Sequence, residues 1–154
     1  MLDWIGSLPP AVYLQRSPNL YVLVNAAHIA ALGVLIGAIV ALDCRVLGAA
    51  RTLPFAVMGP YLSRIARDGL LVAVATGAWL FSVRPHEYVE NAAFLVKVGL
   101  VTLGVLNAVW LHRRADWSHA VGQGKMSTAM RLHASASLML WFGAVLAGRW
   151  IGFL

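Results

Sequence analysis

The sequence predicts an all-α integral membrane protein, an antiparallel four-helix bundle behind an N-terminal interfacial amphipathic segment. Three observations carry that expectation. Of 154 residues, 60% are hydrophobic and 12% charged, with a mean hydropathy of +0.76, whereas a soluble domain is about 45–50% apolar and about 25% charged. Four apolar runs each approach the ~20 residues that a ~30 Å hydrocarbon core demands. No run alternates polar and apolar residues as the strands of a membrane barrel do.

The elements follow in chain order within a single transmembrane domain, 1–154. Residues 1–19 hold Trp4, Tyr13 and the Pro9-Pro10 pair, a composition suited to lying in the interface. No cleavable signal or lipidation motif is expected, since no basic start leads directly into an apolar stretch. The first span is expected over 20–42, with Asn25 and His28 as its strongly polar residues. The second covers 61–83, preceded by the turn residues Pro54, Gly59 and Pro60, with Arg64, Arg67 and Asp68 in its opening turns. Arg84-Pro85 closes it. The third covers 92–112 and is interrupted by Lys97 and Asn107; the fourth covers 131–153, with His133 near its start and Arg149 near its end. Gly122 and Gly124 lie in the longest connection, Arg113 to Met130.

Orientation follows from the basic residues. Eight of the twelve lie at one face: Arg45, Arg51, Arg64, Arg67, Arg113, Arg114, Lys125 and Arg131. The other face has Arg16, Arg84, Lys97 and Arg149. The richer face is expected in the cytoplasm, which puts both termini outside, in the periplasm of a bacterial inner membrane. The formal charge of +6 is thereby explained by topology, with no nucleic-acid partner. Asp43 and Asp68 read as interfacial partners for Arg45 and Arg67. The single cysteine, Cys44, excludes an internal disulfide and a Cys-pair metal site.

Depth sorts the polar residues. At ~1.5 Å per residue, His28 lies about 12 Å below the outer face, Lys97 about 8 Å and Arg149 about 7 Å. His133 lies about 30 Å from that face by the same count, beside His112 at the cytoplasmic edge. His28 and His133 are thus about 19 Å apart along the normal, too far to share one haem iron. The cytoplasmic pair His112 and His133 is the one level match between histidines inside spans. In the outer leaflet, Asn25, His28, Lys97 and Arg149 form the alternative cofactor-binding group, with His28 as the iron ligand and the two cations against acidic groups. His86 and His119 read as solvated loop residues, and Trp79, Trp110, Trp117, Trp141 and Trp150 as belt or packing residues.

Helical phase places Asn25, His28, Leu32, Leu35, Ile39 and Asp43 on one face of the first span, with Gly33 and Gly37 opposite. The Gly33/Gly37 spacing is that of a close-packing seam, for a neighbouring helix or a second protomer. Gly104 with Ala108 and Gly143 with Ala147 are further small-residue seams. Soluble-enzyme signatures are missing: there is no phosphate-binding Gly-Lys-Ser/Thr loop, no H-E-x-x-H and no G-x-S-x-G.

The stretches NAAHIAALGVLIGAIVALDCRVLG (25–48), ENAAFLVKVGLVTLGVLN (90–107) and LWFGAVLAGRWIGF (140–153) resemble a domain-of-unknown-function family of bacterial four-span inner-membrane proteins. The layout is also similar, more loosely, to CopD- and HemJ-type membrane proteins, which place a His in the first span and a Lys opening a later one, as His28 and Lys97 do. HemJ-like proteins bind haem and act in haem biosynthesis; CopD-like proteins are tied to copper uptake. Three readings follow. The first is a haem-b-binding or redox-linked membrane subunit. The second is a structural or assembly subunit of a larger membrane complex, or a homo-oligomer, joined through Gly33/Gly37. The third is a copper or small-solute permease, which the lack of Met or Cys near His28 weakens.

Overall fold

The computed structural model describes residues 3–49 and 51–153. These residues are almost wholly helical and contain no strand. Two short helices, α1 (Asp3–Gly6) and α2 (Pro9–Arg16), precede the first long one, α3 (Pro18–Leu47). There follow α4 (Phe55–Phe81), α5 (Pro85–Glu90), α6 (Ala92–Arg113), α7 (Ala115–Gln123) and α8 (Thr128–Trp150), which ends in a 3-10 turn at Ile151–Phe153. Three helical stretches are long and apolar enough to cross a membrane: Pro18–Leu47, Ala92–Arg113 and Thr128–Phe153. The fold is therefore an all-α membrane bundle.

Local chemistry sets the helix ends. Ser17 caps α3 by accepting from the Leu20 amide at 3.3 Å, and Pro18 takes the first helical position, where its missing N–H costs nothing. Asn91 caps α6 through Phe94 at 3.2 Å, and Ser127 caps α8 through Met130 at 3.2 Å. Gly124, at φ +70°, ends α7 in the left-handed conformation that glycine adopts freely.

Several boundaries differ from expectation. The first helix runs on past residue 42, so Asp43, Cys44 and Arg45 are helical rather than part of a loop. The second begins at Phe55, with Gly59 and Pro60 inside it. Pro60 lies close enough to the N-terminus that its missing amide removes one bond without ending the helix. The 113–130 connection contains a helix, α7, and α8 begins at Thr128. The N-terminal segment packs on the bundle. Its α2 docks on the bundle, burying Leu14 with Val24 of α3 and Leu80 of α4. Trp79 also donates to the Pro10 carbonyl at 2.9 Å.

Packing makes two helix pairs, α3 with α4 and α6 with α8, joined across α3 and α8. In the first pair the backbones come close at Gly69. A Cβ there would stand 3.0 Å from the Leu35 amide nitrogen and 3.2 Å from the Ala31 carbonyl oxygen. The expected seam at Gly33 and Gly37 does not close within the chain: a Cβ at either would meet nothing within 4 Å. The inward helical phase belongs to Leu35, Ile39 and Asp43, on the face expected inward and opposite the two glycines. Gly104 and Gly143 do serve packing, against Trp141 and Leu100 respectively.

Candidate functional site

His28 is half-buried between α3 and α4. Its Nδ1 lies 3.0 Å from Thr76 Oγ1, and a Cβ at Gly77 would stand 3.0 Å from its Cε1. Gly77 thus makes the space that the imidazole fills. The Thr76 hydroxyl has one hydrogen, and two helix carbonyls compete for it: Val72 at 2.7 Å and Ala73 at 3.3 Å. Thr76 Oγ1 is then left to accept, so His28 Nδ1 donates. Nε2 consequently carries the lone pair. An imidazole whose far nitrogen donates to a fixed acceptor is oriented as metal-ligating histidines are.

Lys97 of α6 is placed by its contact with α8. Its stem lies across α8, where a Cβ at Gly148 would stand 3.4 Å from both Cδ and Cε and 3.5 Å from Nζ. Glycine again makes room for a polar side chain in the outer half. The other two expected members are placed differently. Asn25 is exposed, and among the described residues it makes no hydrogen bond to His28. Arg149 is also exposed, with its guanidinium 4.5 Å above the Phe153 ring. Of the four residues expected together, His28 is held by Thr76, and Asn25 and Arg149 are exposed.

His112 and His133 are each held by neighbouring polar groups. His112 faces the Ala108 carbonyl through Nδ1 at 2.7 Å and Ser63 Oγ through Nε2 at 3.0 Å, and its ring lies 4.0 Å from that of Trp117. Both nitrogens are occupied, so His112 offers no lone pair to an iron. His133 Nδ1 meets Asn107 Oδ1 at 2.6 Å, and Asn107 returns a bond to the His133 carbonyl at 3.0 Å. The pair joins α6 to α8 and engages one His133 ring nitrogen, Nδ1, as Thr76 engages that of His28. Among the described residues no three of His, Cys, Asp and Glu group as a metal site would require.

The sequence reading missed three features. Thr76 is the first, although the same ~1.5 Å per residue counted back from the outer end of α4 puts it at the level of His28. The second is Asp43, which is buried; its Oδ2 has no hydrogen-bond partner, and Ser137 of α8 faces the carboxyl. It does not pair with Arg45. That guanidinium donates through Nε and Nη2 to the Leu53 carbonyl, at 3.2 and 2.9 Å. Two residues apart on a helix point about 200° apart, which separates the two groups. Asp68 does pair with Arg67, at 2.9 Å and exposed. The third feature is Ser63, which joins α4 to α6 through His112.

Residues 14–154 match the model of the DUF6644 family, described as a family of unknown function, and the chain belongs to it. No curated protein and no solved structure matches the chain.

Proposed function

We propose that this member of a family without a known activity is a small, redox-linked subunit of a bacterial inner membrane, holding one haem b through His28. The observation that carries the reading is the His28–Thr76 hydrogen bond, which fixes the ring and leaves Nε2 as a nitrogen donor. The donor set fits the group: an anchored imidazole suits iron, and Lys97 supplies a cation for a propionate. Copper fits less well, because soft thioether or thiolate donors are lacking beside His28 and Cys44 lies about 24 Å along α3. A bound haem would supply one-electron chemistry. The chain's own part is to fix the ligand, hold a neighbouring cation and exclude water.

The absorption spectrum of the detergent-extracted protein tests this. A Soret band is expected, lost in His28→Ala and kept in His133→Ala. A wild-type protein without the band, or a band indifferent to His28→Ala, overturns the reading.

The same reading takes α4 as a fourth span. Its 27 residues reach about 40 Å, and Arg64 and Arg67 sit in its first half, where long cationic side chains can snorkel to the cytoplasmic interface. Both termini then face the periplasm. On a Cys44→Ser background, a cysteine at Ser7 should be labelled from outside and one at Ala120 should not.

A structural or assembly subunit is the second reading, favoured by the uncovered Gly33 and Gly37. Partners that co-purify without any pigment, and are lost in Gly33→Leu/Gly37→Leu, would put it ahead.

A further inference from the structure

We propose that the arginine-lined cavity at the inner end of the bundle is a binding site for a phosphate group. The cavity has a volume of about 220 Å³ and lies between the end of α3, the turn after it and the start of α8. Arg45, Arg51 and Arg131 line it together with the turn glycines Gly48 and Gly124, and no carboxylate does.

Arg45 is the anchoring observation. It is only 8% exposed, so its charge has left water, yet its partners are neutral: the Leu53 carbonyl and the Phe55 ring, 5.8 Å away. A guanidinium carries five N–H groups, and these contacts use two of them. A buried charge is expected to be paired. The ion pairs among the described residues join Arg67 to Asp68, Arg84 to Glu87 and Arg114 to Asp116; none of these arginines lines the cavity. Asp43, the nearest acid along the chain, faces Ser137 on another side of α3.

The two arginines beside it add to the imbalance. Arg51 folds back onto the Gly48 carbonyl through Nε at 3.0 Å. Gly48, at φ +120°, makes room for it, since a Cβ there would stand 2.8 Å from Arg51 Nη2. The Arg131 side chain makes no hydrogen bond or ion pair to a described residue; its backbone amide donates to the Ser127 carbonyl at 3.2 Å.

Helix dipoles do not account for this charge. The ends of α3 and α7 each offer about half a negative charge. Three arginines bring three positive charges, so about two remain unbalanced. Guanidinium groups match the oxygens of a phosphate in fork geometry, as lysine does not. Basic pockets between helices on the cytoplasmic side of a membrane take acidic headgroups in this way. The phosphodiester of an anionic phospholipid and a free phosphate share this chemistry, and both are tested below.

The experiment is a thermal melt of the full-length, delipidated protein in detergent. Phosphatidylglycerol, phosphatidylcholine or inorganic phosphate is added at matched ionic strength. A rise in Tm of several degrees with phosphatidylglycerol alone identifies a lipid headgroup; a rise with phosphate alone identifies the free anion; both together identify the shared group. The double variant Arg51→Gln/Arg131→Gln should lose the rise. Arg64→Gln/Arg67→Gln, which removes the same charge from α4, should keep it. If the first pair unfolds the protein, Arg131→Gln alone serves, because that side chain holds no internal bond. The proposal is overturned if neither phosphatidylglycerol nor phosphate raises Tm. It also falls if the rise survives loss of the cavity arginines, or if the α4 pair abolishes it equally.

Discussion

The two ends of the bundle are built differently. At the inner end, Leu42, Val46, Phe55, Leu111, Ala120, Met130 and Ala134 form one buried cluster, with α7 packed over it through Trp117 and Val121. The polar groups there are mostly paired with one another: His112 with Ser63, His133 with Asn107, and Arg45 with the Leu53 carbonyl. At the outer end the buried cluster shrinks to Leu14, Val24 and Leu80 under α2, and His28 is only half-buried. Around the larger cluster, close packing and mutual hydrogen bonding hold most side chains, and the spare donors at this end are guanidinium N–H groups of the cavity arginines at its edge. This end therefore acts as the clamp of the structure and offers cationic donors at its edge, whereas the end under α2 presents the half-buried imidazole of His28.

The comparison can be broken most readily at the clamp. Phe55 is 2% exposed and stacks edge-on with Trp117 at 5.5 Å, so Phe55→Ala should cost about 3 kcal/mol, read as a fall in Tm. A truncation of Tyr13, 73% exposed on α2 at the outer end, should be close to neutral. Gly69→Leu should come next, at about 2 kcal/mol. Its Cβ would meet backbone of α3 rather than a movable side chain, whereas Gly99→Leu meets nothing within 4 Å and should be silent. Equal effects at the two glycines would erase the distinction between a packed seam and an open face.

Smaller effects sharpen it. Asp43 keeps a buried carboxyl oxygen without a partner, so Asp43→Asn, which removes the charge at constant shape, should raise stability by about 1 kcal/mol. A fall would mean that the inner half also holds a working carboxylate. Thr76→Val should cost about 1 kcal/mol and, on the haem reading, weaken the Soret band. The smallest effect lies in α7. Ser127 and Arg114 hold the Asp116 carboxyl below its ordinary range. A depressed carboxylate contributes stability above its unfolded pKa and loses it as pH falls through the folded one. Trp117 fluorescence should therefore report a loosening of α7 only below the ordinary carboxylate range.

Composition and run length were enough to reveal the helical membrane class, because lipid leaves a spanning chain so few options. Depth counting puts His28 and Lys97 on one level. Depth carries no azimuth, however. Counting residues puts Arg149 on that level but cannot show that it turns onto Phe153. Phase around α3 was misjudged at Asn25 for a related reason: a stripe about 60° wide includes both interior and lipid-facing positions near a helix end. Gly33 and Gly37 made the more familiar pattern, yet Gly69 and Gly77 do the close packing. Spacing within one helix says nothing about which face its neighbour takes.

The contact at Gly69 bears on how the chain reaches the bilayer. At a helix centre an arginine or aspartate costs about 2.5–3.5 kcal/mol of insertion free energy, and α4 carries Arg64, Arg67 and Asp68 within five residues. Alone it is a poor substrate for lateral release from a translocon. On the four-span reading, α3 precedes it with 30 residues of almost unbroken apolar sequence, and Gly69 lets the two backbones touch. The unit that partitions into lipid is then the hairpin rather than either helix. A substitution at Gly69 would show itself first during synthesis, as α4 left behind on the cytoplasmic side, before any finished bundle existed to be destabilised.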